Sequence, residues 1–205
     1  MSRPPLPMLA TKRIALLCTI AVSASASITH AWVLTVTPAA RAVYLQVGVG
    51  TANANNTTIN IVSVTVPATA VGTGTVQAMT SNSTQANSFF DNFAVCTPPA
   101  QVYVGGFYRL PATNATNAVL QVSTPASLTS GTDTIAFNQI SWISTGNGGS
   151  GADIPAGTFN GATLFLRNIA ANTWVENCHT FSFANSTVSA AGTFTGRATY
   201  TLTTP

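Results

Sequence analysis

The residues that could carry covalent or acid–base chemistry are few in this chain. Cys178 and His179 are adjacent, and Glu176 precedes Cys178 by two residues, so a thiol, an imidazole and a carboxylate lie close together in sequence. Neighbouring side chains on a β-strand point to opposite faces, so in a strand His179 faces away from both Cys178 and Glu176. The chain also lacks G-x-S-x-G, P-loop and H-E-x-x-H motifs. We therefore expect no enzymatic activity and predict no catalytic, metal-binding or cofactor-binding residue.

A secretion signal explains the composition of the first 31 residues. Three basic residues precede an apolar run at 14–22 that is too short to cross a membrane. Cleavage is expected after Ala31, where an alternating segment begins, and Ala26 ends an alternative site. The rest of the sequence contains no hydrophobic run of membrane-spanning length. The sequence thus predicts a secreted protein, extracellular or at the cell surface, without membrane insertion.

Two cysteines, Cys96 and Cys178, remain after the signal peptide is removed, because Cys18 lies within it. An even number of cysteines in an exported protein indicates a disulfide. The two positions are 82 residues apart, and closing a loop of that length is worth about 4–5 kcal/mol in the chain-entropy model. A free nucleophilic thiol at Cys178 is the competing interpretation, which the strand geometry disfavours.

Outside the predicted signal peptide the charged residues cancel. Four arginines stand against four carboxylates, and lysine is absent. Charged residues form only 5% of the whole chain, against about a quarter in an ordinary soluble domain. No basic patch is available for nucleic acid, which is excluded as a partner. A charge-poor surface favours self-association, because the centres of protein interfaces are depleted in charge, so we expect other copies of the chain as partners.

The elements that must position these residues are β-strands. About ten segments alternate polar and apolar residues between Gly, Pro and Asn turn signals. The segment 89–96, which carries three phenylalanines, fits either a strand or a single helical turn. Gly105–Gly106 and Asn138–Gln139 indicate bulges within two longer strands. The pattern predicts one all-β sandwich domain over residues 41–205, preceded by a strand and linker at 32–40.

The most regular alternation runs from residue 192 to residue 203. Its apolar positions are Gly192, Phe194, Ala198, Tyr200 and Leu202. The opposite parity carries mainly threonine, so an extended strand here has one apolar and one hydroxylic face. No further strand follows in the sequence. The outer edge of this strand is therefore expected to pair with an earlier segment or with another molecule.

Both ends of the chain resemble the subunits of chaperone–usher pili, and the chain is similar to the related spore-coat-U-like secreted domains. Pilus subunits are exported immunoglobulin-like sandwiches with one disulfide, and they carry a glycine fourteen residues from the C-terminus, the position of Gly192. Their missing last strand is supplied first by a periplasmic chaperone and then by the N-terminal extension of the next subunit. The candidate donor residues here are Trp32, Val33, Leu34 and Val36.

This resemblance implies a structural subunit of an extracellular, pilus-like filament that polymerises by strand donation, with a periplasmic chaperone and an outer-membrane usher as further partners. The second interpretation is a secreted adhesin that binds carbohydrate or another surface. Its candidate sugar-stacking residues are the aromatic Tyr103, Phe107, Tyr108 and Trp142. The motif G-G-x-G-x-D at residues 148–153 resembles a calcium-binding repeat, but one copy favours a glycine-rich turn.

Overall fold

The computed structural model describes residues 40–50, 60–111, 116–146 and 153–205. The predicted signal peptide, the candidate donor residues Trp32, Val33, Leu34 and Val36, and residues 148–152 lie outside these ranges. Within them, no helix is long and apolar enough to cross a membrane. The strands, in chain order, are β1 Ala42–Val47, β2 Val62–Ser63, β3 Gln77–Ala78, β4 Thr80–Ser81, β5 Val102–Arg109, β6 Asn117–Ser123, β7 Ser127–Ser130, β8 Asp133–Ala136, β9 Ile140–Thr145, β10 Gly157–Thr158, β11 Thr163–Ala170, β12 Thr173–Phe183 and β13 Thr199–Thr203.

Two antiparallel sheets form the body of the domain. The first sheet has the order β1–β5–β12–β9–β10, and β3 pairs with the far end of β12. The second sheet has the order β11–β6–β13. The antiparallel strand pair β2–β4 and the hairpin β7–β8 complete the described strands. The prediction of an all-β sandwich is confirmed, and the immunoglobulin-like topology stays a prediction.

The main core lies between the two sheets, because each central strand turns its apolar parity inward. In β6 the inward side chains Ala118, Leu120 and Val122 are at most 1% exposed. They face inward side chains of the first sheet such as Val104 and Val175 in a single apolar cluster. Full burial of a side chain of this size is worth about 1.5–3 kcal/mol, so this alternation is the main reason that the sheets pack.

The strand β12 is buried on both of its faces. Its core-facing parity includes Val175, Asn177 and His179, and its opposite parity includes Glu176 and Cys178. We call the side of the first sheet that carries Glu176 and Cys178 the outer face. A disulfide joins Cys178 to Cys96 in the segment that crosses this face, with the two Cα atoms 5.5 Å apart. The predicted disulfide is confirmed, and Cys178 is not a free thiol.

Three predicted elements differ in detail from the structure. Gly105–Gly106 forms no bulge, because β5 pairs without interruption with both β1 and β12. The long strand predicted around Asn138–Gln139 is divided into β8 and β9 by a 3-10 turn at Phe137–Gln139. Burial of Phe137, at 3% exposure, explains the break, since the turn directs that ring into the core. The phenylalanine-rich segment 89–96 forms turns with neither helix nor extended strand.

The C-terminal alternation is a regular strand over only part of its predicted length. Pairing with β6 begins at Thr199. Before it, Thr195 forms an isolated bridge with Thr129 of β7, in which each backbone N–H donates to the other residue's carbonyl. Gly192 lies near the same hairpin, where an added Cβ would stand 2.6 Å from Ser130 Oγ. The segment therefore crosses from the β7–β8 hairpin to the second sheet.

Candidate functional site

The strand β13 is the edge strand of the second sheet. It pairs with β6 along one side, and within the described ranges no strand pairs with its other side. The strand β1, at the edge of the first sheet, lies beside it. We call this border between β13 and β1 the open edge. An edge strand presents unpaired N–H and C=O groups, so a further strand can add to it.

Apolar side chains at the open edge are incompletely covered. Tyr200 and Leu202 of β13 pack against the core but stay half-buried. Across the border, Val43 shares its parity with the core-packed Leu45, yet Val43 is 46% exposed. The threonines on the other parity of β13 are exposed. Phe194 and Ala198 are also half-buried against the core, although they precede β13.

His179 lies inside the core behind β13, away from Glu176 and Cys178. Its Nδ1 atom is 3.5 Å from the hydroxyl oxygen of Tyr200, and its Nε2 atom is buried with no hydrogen-bond partner among the described residues. Trp142 stacks on the imidazole with ring centroids 5.7 Å apart. Burial lowers the pKa of His179 to about 3, so the ring is neutral at ordinary pH. A neutral imidazole enclosed by aromatic rings is a core residue here.

Glu176 holds a covering segment onto the outer face. Its Oε2 atom accepts hydrogen bonds from the hydroxyl groups of Tyr103, at 2.6 Å, and Ser88, at 2.8 Å. Nearby, the hydroxyl of Tyr44 donates to Gln46 Oε1. Burial, and after it the charge of Glu176, raises the pKa of both tyrosines above the usual range. Together with the disulfide, these bonds fix the segment from Ser88 to Cys96 on β12.

Gly105 makes this arrangement possible, because the ring of Tyr103 lies across it. A Cβ atom at position 105 would stand 2.4 Å from the Tyr103 hydroxyl oxygen and 2.7 Å from its ring. We expect Gly105→Ala to lower the free energy of unfolding by about 1–3 kcal/mol, as overpacking usually does. Urea unfolding measures the effect. Combination with Tyr103→Phe, which removes the closest atom, should cost less than the sum of the two single changes, and strict additivity would contradict this explanation.

The aromatic residues predicted to stack on sugars are not available for binding. Tyr103, Phe107, Tyr108 and Trp142 are between 0% and 9% exposed. Tyr108 and Trp142 belong to the main core, and Tyr103 packs beside the disulfide. That prediction was wrong, because the main core covers one face of these strands and the segment that carries Cys96 covers part of the other.

Other aromatic rings do reach the surface of the outer face. Phe89 and Phe90 are 54% and 44% exposed. Phe89 stacks on Tyr44, with ring centroids 5.3 Å apart, and Tyr44 stacks on Trp174 at 5.0 Å. Phe90 contacts the same indole at 5.3 Å. We call Tyr44, Phe89, Phe90 and Trp174 the aromatic surface.

A signal for the aromatic surface was present in the sequence. Phe89 and Phe90 lie shortly before Cys96, and Trp174 lies four residues before Cys178 on the same strand parity. The disulfide between the two cysteines limits how far apart these aromatic residues can lie.

Part of the possible calcium motif is described. Asp153, its last residue, forms an ion pair with Arg167, with Oδ1 3.2 Å from Nη2. Among the described residues, no group of three or more His, Cys, Asp or Glu side chains is arranged to hold a metal ion. The arginine partner gives Asp153 a structural role.

Comparison of this chain with protein-family models, with curated proteins and with solved structures gave no match.

Proposed function

We propose that this protein is a structural subunit of an extracellular, pilus-like filament and that its copies join by strand donation. The observation that supports the proposal is the open edge, where no described strand pairs with one side of β13 and Val43, Tyr200 and Leu202 are incompletely covered. A strand that adds there would satisfy backbone groups and cover apolar side chains at once. An immunoglobulin-like arrangement, with its last position filled by another copy, is part of the proposal.

The donor in this proposal is the segment 32–37, in which Trp32, Leu34 and Val36 share one parity. Pro38 and Ala39 separate the segment from Ala40, whose carbonyl accepts a hydrogen bond from Arg109 Nε beside β1. Ala40, the first described residue after the donor, therefore lies beside β1 of the open edge, and through trans pairing the donor would link one copy to the next. Its apolar parity would supply the side chains that cover the core.

Export is the second part of the proposal. Residues 1–31 act as a signal peptide, and the Cys96–Cys178 disulfide suits an oxidising compartment such as the bacterial periplasm. A periplasmic chaperone and an outer-membrane usher would protect and order the subunits before assembly. The neutral composition beyond residue 31 keeps copies from repelling one another.

The test compares the exported chain with a variant that lacks residues 32–37, at the same concentration, by sedimentation velocity and negative-stain electron microscopy. We expect filaments from the intact chain and only small species from the shortened variant. The shortened variant should also shorten growing filaments, because it retains an open edge but has no strand to donate. Monomers from both chains, or equal polymerisation by both, would refute the proposal.

Two point variants separate strand donation from a general loss of apolar surface. Leu34→Asn changes the apolar parity of the donor and should prevent polymerisation, whereas Thr35→Asn changes the opposite parity and should leave polymerisation intact. On the acceptor side, Leu202→Asn should act as Leu34→Asn does. Equal effects of Leu34→Asn and Thr35→Asn would show that the segment does not pair as a strand.

A further inference from the structure

The aromatic surface lies on the outer face of the first sheet, on the opposite side of β1 from Val43 and Leu45 of the open edge, and strand donation does not use it. Exposed apolar patches of this kind mark interaction sites, since isolated domains gain nothing from holding aromatic rings in water. The turn that carries Phe89 and Phe90 is fixed by hydrogen bonds before any partner binds. Ser88 donates its hydroxyl hydrogen to buried Glu176, and Ser88 N–H donates to the carbonyl of Phe93 at 2.7 Å. The surface therefore needs little ordering before it binds a partner.

The arrangement of the rings favours protein over carbohydrate. A sugar stacks on an open aromatic face, but Tyr44 stacks against both Phe89 and Trp174. The indole of Trp174 also contacts the rings of Phe90 and Phe107. The faces of the two central rings are thus taken up within the cluster. Aromatic clusters with little charge are typical of the centres of protein interfaces.

The charges beside the aromatic surface are self-complementary. Asp91 is exposed on the turn that carries Phe89 and Phe90. Arg109 follows Phe107 by two residues on the uninterrupted strand β5 and so lies on the same outer face. The ion pair found among the described residues joins two other side chains, Arg167 and Asp153. One carboxylate and one guanidinium flank the rings, and a two-fold axis would bring each opposite its counterpart in a second molecule.

We propose that the aromatic surface is a two-fold contact between two copies of this chain, in which Asp91 of each copy pairs with Arg109 of the other. The rings of both copies form the apolar centre of the contact, and the two charge pairs fix its orientation. The contact is independent of strand donation. In a filament it would join subunits laterally, and without filaments it would give a dimer.

Charge exchange tests the orientation. In the full exported chain, Asp91→Arg alone and Arg109→Asp alone should each weaken self-association by about tenfold or more, because like charges then face each other. An equimolar mixture of the two single variants should recover association, since each mixed pair has opposite charges at both contacts. Native mass spectrometry and sedimentation equilibrium measure the species that contains one copy of each. Strand donation in the mixture should lie between that of the two separate variants, because the mixture contains the same two chains, so association above both values reports the charge pairs.

A mixture that associates no better than the separate variants would overturn the proposal. This comparison also controls for the local hydrogen bonds that each substitution removes, from Phe93 N–H to Asp91 Oδ1 and from Arg109 Nε to Ala40 O. The mixture contains the same altered chains, so only pairing between copies can restore association.

A second pair of variants tests the rings themselves. Phe89→Ser should weaken the same self-association by about tenfold or more. Phe165→Ser is the matched control, because Phe165 is also 54% exposed but lies on β11 of the second sheet. Equal effects of the two changes would overturn the proposal. So would a chain that stays monomeric while a glycan array or an unrelated protein binds it and loses that binding on Phe89→Ser.

Discussion

Replacing Cys96 and Cys178 together by alanine should lower the free energy of unfolding by about 4–5 kcal/mol. The bond closes a loop of 82 residues, and without it the unfolded chain gains the corresponding conformational freedom. The loss is a large part of the 5–15 kcal/mol or so by which ordinary domains are stable. Urea unfolding of the double variant and of the wild-type chain measures the difference.

Two further measurements separate the disulfide from the side chains that form it. The wild-type chain unfolded in the presence of a reductant should match the double variant, because both lack the cross-link. Proteolysis should then cut first within residues 88–96, since this segment loses its covalent link to β12 and keeps contacts such as the Ser88–Glu176 hydrogen bond and the packing of Phe90 on Trp174. A loss of stability below about 1 kcal/mol would show that the cross-link constrains the unfolded chain far less than its loop length implies.

Acid should weaken the fold through His179. The pKa of this residue is about 3 in the folded chain and 6.5 when unperturbed, so between these values the unfolded chain binds a proton that the folded chain does not. Stability therefore falls as the pH decreases from about 6.5 to about 3, by up to about 4–5 kcal/mol in total. Above about pH 6.5 the residue is neutral in both states and contributes no pH dependence.

The acid effect is isolated by the variant His179→Phe, which keeps a ring beside Trp142 but cannot bind a proton. Its free energy of unfolding should depend less on pH between 6.5 and 3 than that of the wild type, whatever the two values are at pH 7. All other residues are the same in both proteins, so their contributions cancel in the comparison. Parallel pH profiles would mean that His179 becomes protonated without leaving the core.

Strand alternation was enough to predict the fold class and much of the core. The parity rule correctly separated Glu176 and Cys178 from His179, because β12 is extended throughout. The parity rule failed where the packing of a single side chain determines the local backbone conformation. Phe137 turns into the core and breaks a strand that its polarity pattern had made continuous, and Gly105 provides space for Tyr103 where a bulge was expected. A local pattern misses both features, because Phe137 packs on Phe159 and the Tyr103 ring is held over Gly105 by its hydrogen bond to the distant Glu176.

The open edge and the aromatic surface differ in how far each could be predicted from the sequence, because they depend on long-range contacts to different degrees. Tyr200 and Leu202 could be placed on one face by their spacing alone, since the strand is regular there. The aromatic surface could not, because it combines β1, β12 and a turn from three distant parts of the chain. Only the disulfide indicated that two of these parts meet. Burial of Trp142 likewise depends on packing across the sandwich, which composition does not show.

The double burial of β12 also fixes the alignment of the strand during folding. A shift by one residue would turn Glu176 and Cys178 into the main core. His179 and Val175 would then lie on the outer face, opposite Ser88 and Cys96, which in the correct alignment bond to Glu176 and Cys178. Sheets that are buried on one side tolerate such a slip only at the cost of exposed apolar groups. Here the slipped chain could not form its cross-link at all. The disulfide between Cys96 and Cys178 is therefore expected only in molecules in which β12 is correctly aligned.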